Sequence, residues 1–114
     1  MNWNAPALVY LIHHEKLGSH KVGITGVGIR TDRLKGFGAL GWETYKTLQF
    51  SNADDAYEVE QMVLEPYREQ NFCPYLSIDE LKNGYTETIG AEAVSLLELW
   101  NQIESAAESI SRIL

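Results

Sequence analysis

Cysteine and long apolar runs are both scarce in this sequence. Cys73 is the only cysteine, so the chain cannot form an internal disulfide, and such sparse use is typical of a reducing, cytoplasmic compartment. No apolar stretch approaches the ~20 residues that a membrane-spanning helix needs. The first residues also lack the positive start and the small-residue cleavage site of a secretory signal. We therefore expect a cytoplasmic protein with no membrane partner.

Two common ligand motifs are incomplete. Gly26 and Gly28 follow a predicted strand and begin a pattern like a dinucleotide-binding loop, but Thr31 stands where the third glycine belongs and no phosphate-loop Gly-Lys-Ser/Thr is present. His13 and His14 are adjacent, so on a strand their side chains face opposite ways. We therefore expect neither a dinucleotide loop nor a histidine metal cluster.

Basic residues are outnumbered, and they are unevenly distributed. The chain has nine Lys and Arg against sixteen Asp and Glu, a net charge of −7. Six basic and three acidic residues precede Thr47, whereas three basic and thirteen acidic residues follow from there. This asymmetry suggests that one face meets an anion. The acidic part can equally be a solvated helical surface, and the two interpretations are compatible.

The hydrophobic pattern predicts an α/β (α+β) fold over residues 1–114, with a small antiparallel sheet of three strands flanked by helices. β-branched and aromatic residues favour the strands, and Ser51 or Asn52 is a candidate N-cap of the middle helix. The predicted elements are strands at Val9–Ile12, Lys21–Thr25 and Glu43–Phe50, and helices at about Asp32–Lys35, after Asn52, and at about Ala91–Leu114.

The long C-terminal helix has an apolar stripe that should pack across the sheet. Its predicted members are Val94, Leu97, Trp100, Ile103, Ala107, Ile110 and Leu114.

Reactive side chains gather in the first hairpin and the helix that follows. Tyr10 stands in one strand, Lys21 in the next, and Arg30 and Arg33 come soon after. A phenol, an amine and guanidinium groups suit a phosphodiester better than a core. Each also has a structural interpretation: Tyr10 as a core aromatic, Lys21 as a solvated strand residue, and Arg33 as a surface residue.

Glu60 lies beside the apolar stripe of the middle helix, between Val59 and Val63. Its carboxylate could therefore reach the edge of the sheet, and a single carboxylate with open water positions suits Mg²⁺. Most helical glutamates are merely solvated, so both interpretations stay open on these grounds alone.

Taken in order, these residues resemble the GIY-YIG nuclease family. Leu8-Val9-Tyr10 matches the first motif with its glycine replaced, and Lys21-Val22-Gly23 matches the second with lysine in place of tyrosine. Arg33 falls at the family's arginine. Glu60 falls at its metal glutamate in the pattern A-x-x-V-E-x-x-V-L, and Gly84-Tyr85-Thr86-Glu87 resembles the G-x-T-E close of one branch. The matched core spans residues 8–88.

The resemblance implies a metal-dependent endonuclease that hydrolyses phosphodiester bonds in DNA with one Mg²⁺ (or Mn²⁺). Glu60 would hold the ion, Arg33 would clamp the phosphate, and Tyr10 would act as general base or orient the attacking water. Lys21 would supply the cation that such a tyrosine needs, or share the proton. Glu87 would replace the asparagine seen in many members.

Further residues are expected to contact the substrate, and partners are also expected. Arg30, Lys35 and His20 are candidate substrate-binding residues. Because the chain is acidic, it has little capacity for extended DNA contact, so we expect it to act as a homodimer, with a separate DNA-binding partner, or on a structured or single-stranded substrate. Two alternatives remain: a catalytically degenerate domain that binds nucleic acid or protein, and an interaction protein that dimerises through its C-terminal helix.

Overall fold

The fold alternates strands and helices, as seen in a computed structural model that describes residues 2–27 and 32–111. In chain order the elements are β1 (Ala7–His14), β2 (Ser19–Gly26), α1 (Asp32–Ala39), β3 (Glu43–Phe50), α2 (Ala53–Glu69), a 3-10 helix (Tyr85–Glu87), β4 (Thr88–Gly90) and α3 (Leu96–Ser111).

The sheet is antiparallel throughout, in the order β3–β1–β2–β4. The predicted α+β class is confirmed, but the sheet has four strands in the described residues and not the three expected. The fourth strand, β4, is three residues long. A segment this short shows no alternation of apolar and polar residues, so the sequence pattern could not reveal it.

The β1–β2 register decides which side chains share a face. Val9 pairs with Ile24 and Leu11 pairs with Val22, so these four apolar side chains lie on one face. The residues between them, including Tyr10, point to the other face. The first hairpin therefore places the side chains of Val9, Leu11, Val22 and Ile24 on the face opposite Tyr10 and Lys21.

Helices α2 and α3 cover the apolar face and form the larger core with it. α2 begins at the predicted cap, because the Asn52 side chain accepts a hydrogen bond from the backbone N–H of Asp55 at 2.8 Å. This core includes Val9, Leu11 and Val22 from the sheet with Leu64 and Ile103 from the helices.

The C-terminal helix differs from its prediction in start and in facing. It begins at Leu96 and not near Ala91, and residues 112–114 lie outside the described part of the chain. Leu97, which was assigned to the apolar stripe, is 59% exposed, whereas Leu99 and Ala106 are buried. At about 100° per residue Leu97 lies roughly 160° from Leu99 and roughly 120° from Ile103, nearly on the opposite side of the helix.

A smaller cluster occupies the other face of the sheet. Its buried members come from β1, from α1 and the turn after it, and from the segment between α2 and the 3-10 helix: Tyr10, Ile12, Phe37, Trp42, Leu76 and Leu81. Among the described residues, none of the helices has the length and apolarity to span a membrane.

Candidate active site at the edge of β2

One edge of β2 is only partly covered. β4 pairs with β2 from Ser19 to Lys21, and in the described residues no strand follows it along the rest of that edge. A cavity of about 190 Å³ opens there. It is lined by Trp3, Tyr10, Lys21, Gly23, Ile24, Arg33, Tyr57, Glu60 and Glu87.

Lys21 and Tyr10 form the floor of this cavity and are fully buried on the same face. The Lys21 amine donates a hydrogen bond of 3.0 Å to the Tyr10 hydroxyl oxygen. Its Nζ also lies 5.0 Å from the centroid of the Tyr10 ring and 5.1 Å from that of Phe37. The two rings therefore stabilise positive charge on an amine that is only 1% exposed.

Gly23 makes room for this pair. It lies directly across from Tyr10 in the β1–β2 ladder. A Cβ at position 23 would overlap Cζ and the hydroxyl oxygen of Tyr10 and would stand 2.8 Å from the Lys21 amine. The absence of a side chain at Gly23 therefore leaves the space that the Tyr10 ring occupies.

Gly84 makes room on the other side of Lys21. Its φ of +95° favours glycine, and a Cβ there would stand 2.5 Å from Cε of Lys21. The turn at Gly84 then starts the 3-10 helix that carries Glu87.

Glu60 reaches the cavity from α2. Its side chain is 4% exposed, and its Oε1 accepts a hydrogen bond of 2.9 Å from Gln61. Gln61 in turn accepts a bond of 2.7 Å from Arg68. This chain of hydrogen bonds fixes the Glu60 carboxylate against the edge of the sheet.

Glu87 reaches the cavity from the 3-10 helix. Its Oε2 accepts a hydrogen bond of 2.9 Å from the Thr86 hydroxyl. The same turn is tied to β4, because Thr88 donates to the Tyr85 carbonyl and accepts from the backbone N–H groups of Tyr75 and Leu76. The Glu87 carboxylate is therefore carried by a segment that hydrogen bonds hold to its neighbours on both sides.

Burial perturbs three ionisable groups in the cavity. It lowers the pKa of Lys21 to about 8, while Glu87 and Glu60 act in the opposite direction. Burial together with Glu87 raises the pKa of Glu60 to about 7, although the Gln61 hydrogen bond and Lys21 lower it. Burial also raises the pKa of Tyr10, which the Arg33 guanidinium offsets only in part.

These shifts bear on the alternatives that the resemblance leaves open for Tyr10 and Lys21. A phenol whose pKa is raised stays protonated near neutral pH, which suits Tyr10 to orienting a water molecule more than to accepting its proton. An amine with a pKa near 8 has a neutral fraction at neutral pH, and a base of that strength is well matched to proton transfer. Of the two groups, Lys21 therefore has the pKa that better suits a base.

The remaining predicted site residues fall in different places. Arg33 is exposed and lines the cavity. Lys35 is exposed on α1 without lining it, and Arg30 lies outside the described residues. His20 does not join the cluster, because it neighbours Lys21 on β2 and points to the opposite face, where its Nε2 donates to the Val94 carbonyl at 2.8 Å.

The donor set bears on the metal that the resemblance implies. No group of three or more His, Cys, Asp or Glu that could hold an ion occurs in the described residues. Two carboxylates, Glu60 and Glu87, line this cavity, and burial together with Glu87 raises the pKa of Glu60 to about 7. A hard divalent cation that keeps most of its waters fits such a pair.

Two lining residues were missed by sequence reasoning. Trp3 lies in the lead-in before β1, and Tyr57 lies one helical turn before Glu60 on α2. Their rings form an edge-to-face pair with centroids 5.4 Å apart. The spacing of Tyr57 and Glu60 would have indicated a shared helix face, whereas nothing in the sequence predicts where Trp3 lies.

Comparisons of the chain with protein-family models, with curated proteins and with solved structures gave no match. The resemblance to the GIY-YIG family therefore rests on the motif residues themselves, and six of them line this one cavity.

Proposed function

We propose that this protein is a metal-dependent endonuclease that hydrolyses phosphodiester bonds in nucleic acid, with DNA as the first substrate to test. One observation carries the proposal. A phenol, an amine, a guanidinium group and two carboxylates, contributed by five separate elements, line a single cavity. The same five residues are those that the motif resemblance selected.

Arg33 suits a phosphodiester anion. Arg33 is exposed at the cavity, and its guanidinium group can donate two parallel hydrogen bonds to phosphate oxygens. These donors would stabilise the negative charge that builds up on the phosphoryl oxygens during the reaction.

Lys21 is the proposed general base. In its neutral form the amine accepts a proton from water, the water oxygen bonds to phosphorus, and the bond from phosphorus to the leaving sugar oxygen breaks. The departing oxygen takes a proton from bulk water. Tyr10 holds the amine in place through its hydroxyl at 3.0 Å and orients the attacking water.

Glu60 and Glu87 are the proposed metal ligands. When bound, a Mg²⁺ or Mn²⁺ ion would supply Lewis-acid stabilisation of charge on the phosphate. The Gln61 hydrogen bond to Glu60 orients the ligand, as groups behind a metal ligand commonly do.

The alternative of dimerisation through α3 has less support. The outward side chains of the described part of α3 are mostly polar, including Asn101, Glu104 and Ser105, and Leu97 is the one large apolar side chain exposed there. A stable helical dimer face needs a continuous apolar stripe.

The lone cysteine also fits the proposed cytoplasmic setting.

The proposal is tested by cleavage of supercoiled plasmid and of single-stranded and branched oligonucleotides, with Mg²⁺, Mn²⁺ or EDTA. The native chain is compared with Glu60→Gln and with a matched control, Glu65→Gln, which changes an exposed carboxylate on the same helix. We expect metal-dependent cleavage that falls at least about 100-fold in Glu60→Gln and is unchanged in Glu65→Gln.

Equal cleavage by Glu60→Gln and the native chain would contradict the assigned site. No cleavage of any substrate by the folded native protein would contradict the nuclease proposal and favour a domain that binds nucleic acid without cutting it.

A further inference from the structure

Trp3 and Tyr57 expose large aromatic rings beside the reactive groups. Trp3 is 46% exposed and Tyr57 is 43% exposed, although both line the cavity that contains Lys21 and Glu60. Neither ring belongs to either buried core cluster. Their exposed surface is therefore available to a ligand that enters the cavity.

The two rings are held by short local contacts. The Trp3 carbonyl accepts a hydrogen bond of 3.1 Å from the backbone N–H of Asp54 in the first turn of α2. The Trp3 ring packs edge-to-face on Tyr57, with an angle of 74° between the ring planes. Such a pair presents preorganised ring faces and needs little ordering on binding.

The charge of the chain limits how nucleic acid can be held. Duplex binding by counterion release needs many phosphate contacts from Lys and Arg. Here the net charge is −7, and Arg33 and Lys21 are the basic side chains that line the cavity in the described residues. Affinity must therefore come largely from another source.

Base stacking supplies that source. Stacking on an aromatic side chain contributes ~1–3 kcal/mol per base and does not depend on sequence. The ring must reach an unstacked base, which a single strand, a flap or a loop offers and an intact duplex does not.

Resting on the proposed function, we propose that Trp3 and Tyr57 are a stacking platform for an unpaired base next to the phosphate held by Arg33. The substrate class is therefore single-stranded nucleic acid or a junction with an unpaired nucleotide. The platform selects it by requiring one free base beside the phosphate that is cut.

The test measures binding in EDTA, so that it does not depend on cleavage. A fluorescein-labelled single-stranded oligonucleotide of about ten nucleotides is titrated by anisotropy with the native chain and with the Trp3→Ala, Tyr57→Ala and Trp3→Phe variants. Phe72→Ala is the matched control, because Phe72 is 45% exposed and lines a different cavity. Circular dichroism melting checks that each variant folds.

We expect Kd to rise about 5- to 100-fold in each alanine variant. Trp3→Phe should restore most of the affinity, and Phe72→Ala should leave it unchanged. A duplex of the same sequence should bind the native chain more weakly than the single strand does.

A second probe separates stacking from simple loss of packing. An oligonucleotide of the same length with abasic sites keeps the phosphates and removes the bases. It should bind the native chain at least as weakly as the intact oligonucleotide binds Trp3→Ala, because it loses contact with both rings, and Trp3→Ala should weaken its binding no further. If the native chain binds abasic and intact strands equally, or if folded Tyr57→Ala binds as the native chain does, the platform is disproved.

Failure of this inference can be told apart from failure of the proposed function. Cleavage of duplex and single strand at equal rates, unaffected by Trp3→Ala, would overturn the platform and leave the nuclease intact. Base-dependent binding without metal-dependent cleavage would support the platform and overturn the nuclease. A native chain that binds no oligonucleotide would overturn the platform.

Discussion

β2 buries two neighbouring basic side chains on opposite faces of the sheet, and the structure treats them differently. His20 lies on the face covered by α2 and α3, and Lys21 on the face of the smaller cluster. Both are almost completely buried. The surroundings of each decide whether it is part of the scaffold or of the chemistry.

His20 has a partner for each ring nitrogen. Its Nε2 donates to the Val94 carbonyl at 2.8 Å, and its Nδ1 lies 2.9 Å from Nδ1 of His13. The neutral ring satisfies both contacts if His13 donates and His20 accepts. Burial lowers the pKa of His20, with the Val94 carbonyl acting in the opposite direction. This residue therefore ties β2 to the segment before α3.

Lys21 is held by one side-chain hydrogen bond and two aromatic rings, and it opens onto a cavity. The negative charges of Glu60 and Glu87 raise the pKa of Lys21. A ligand that enters the cavity and changes those charges therefore also changes the protonation of Lys21. A buried ionisable side chain whose polar atoms are all hydrogen-bonded is typical of a structural role. One that is buried at a cavity wall beside opposite charges is typical of a functional site.

The largest expected effect separates the two residues by activity. Lys21→Met keeps the aliphatic stem and removes the base, so we expect cleavage to fall by about 10²–10⁴-fold. The melting temperature should change by only a few degrees. Plasmid nicking and circular dichroism melting measure both quantities. Cleavage within a factor of three of the native rate would remove Lys21 from the mechanism.

The next effect tests the steric link between Gly23 and the Lys21–Tyr10 pair. Gly23→Ala should cost about 1–3 kcal/mol of unfolding free energy and should reduce cleavage, because the new methyl overlaps the Tyr10 ring. Urea unfolding measures the cost. Gly38→Ala is the control: it meets nothing within 4 Å in exposed α1, so it should be neutral or stabilising by roughly 0.5–1 kcal/mol. Equal costs for both variants would contradict the packing argument.

A smaller effect concerns the pH dependence of the rate. Because the pKa of Lys21 is about 8 and its neutral form is the base, single-turnover cleavage should rise by about tenfold per pH unit between about pH 7 and 8 and level off above that. Below about pH 7 protonation of Glu60 should steepen the fall. The residual activity of Lys21→Met should lack the inflection near pH 8. A native profile that is flat between pH 6.5 and 8 would show that another group accepts the proton.

The smallest effect belongs to His20 and concerns stability. Its pKa is lowered in the folded state, so below about 6.5 the unfolded chain binds a proton that the folded chain does not. Stability should therefore fall as pH drops from about 6.5 toward the folded pKa, by at most about 1.4 kcal/mol per pH unit. Urea unfolding at several pH values measures this slope. In His20→Leu the slope should be smaller by the contribution of His20, and the folded variant should cleave as the native chain does. An unchanged slope would show that His20 does not contribute to the pH dependence of stability.

Much of the fold was accessible from the sequence because its longer elements carry clear patterns. β1, β2 and β3 show strand-forming residues, and α2 shows both a cap and an apolar stripe. β4 was not predicted because a segment of three residues shows no periodicity. The facing of Leu97 was misjudged because each step of three residues, from Ile103 to Trp100 to Leu97, rotates the side chain by about 60° away from the buried face.

The site was accessible only in part. The motif pattern selected Tyr10, Lys21 and Glu60, but their meeting depends on the register that sets Tyr10 opposite Gly23 and on the short β4, which sequence alone does not fix. Among the roles that the resemblance implies, burial favours orientation of water for Tyr10 and proton transfer for Lys21, and the sequence does not show that burial. Trp3 could not be anticipated, because its position depends on a backbone hydrogen bond to α2.

The overlap between Gly23 and Tyr10 also constrains how this chain can change through descent. A side chain gained at position 23 costs stability for as long as the ring at position 10 is kept, and this cost falls once that ring has been replaced by something smaller. Loss of the phenol first and of the glycine second is therefore the order of least cost. In descendants of this protein, we expect residues other than glycine at position 23 mainly where the Tyr10 ring has already been lost.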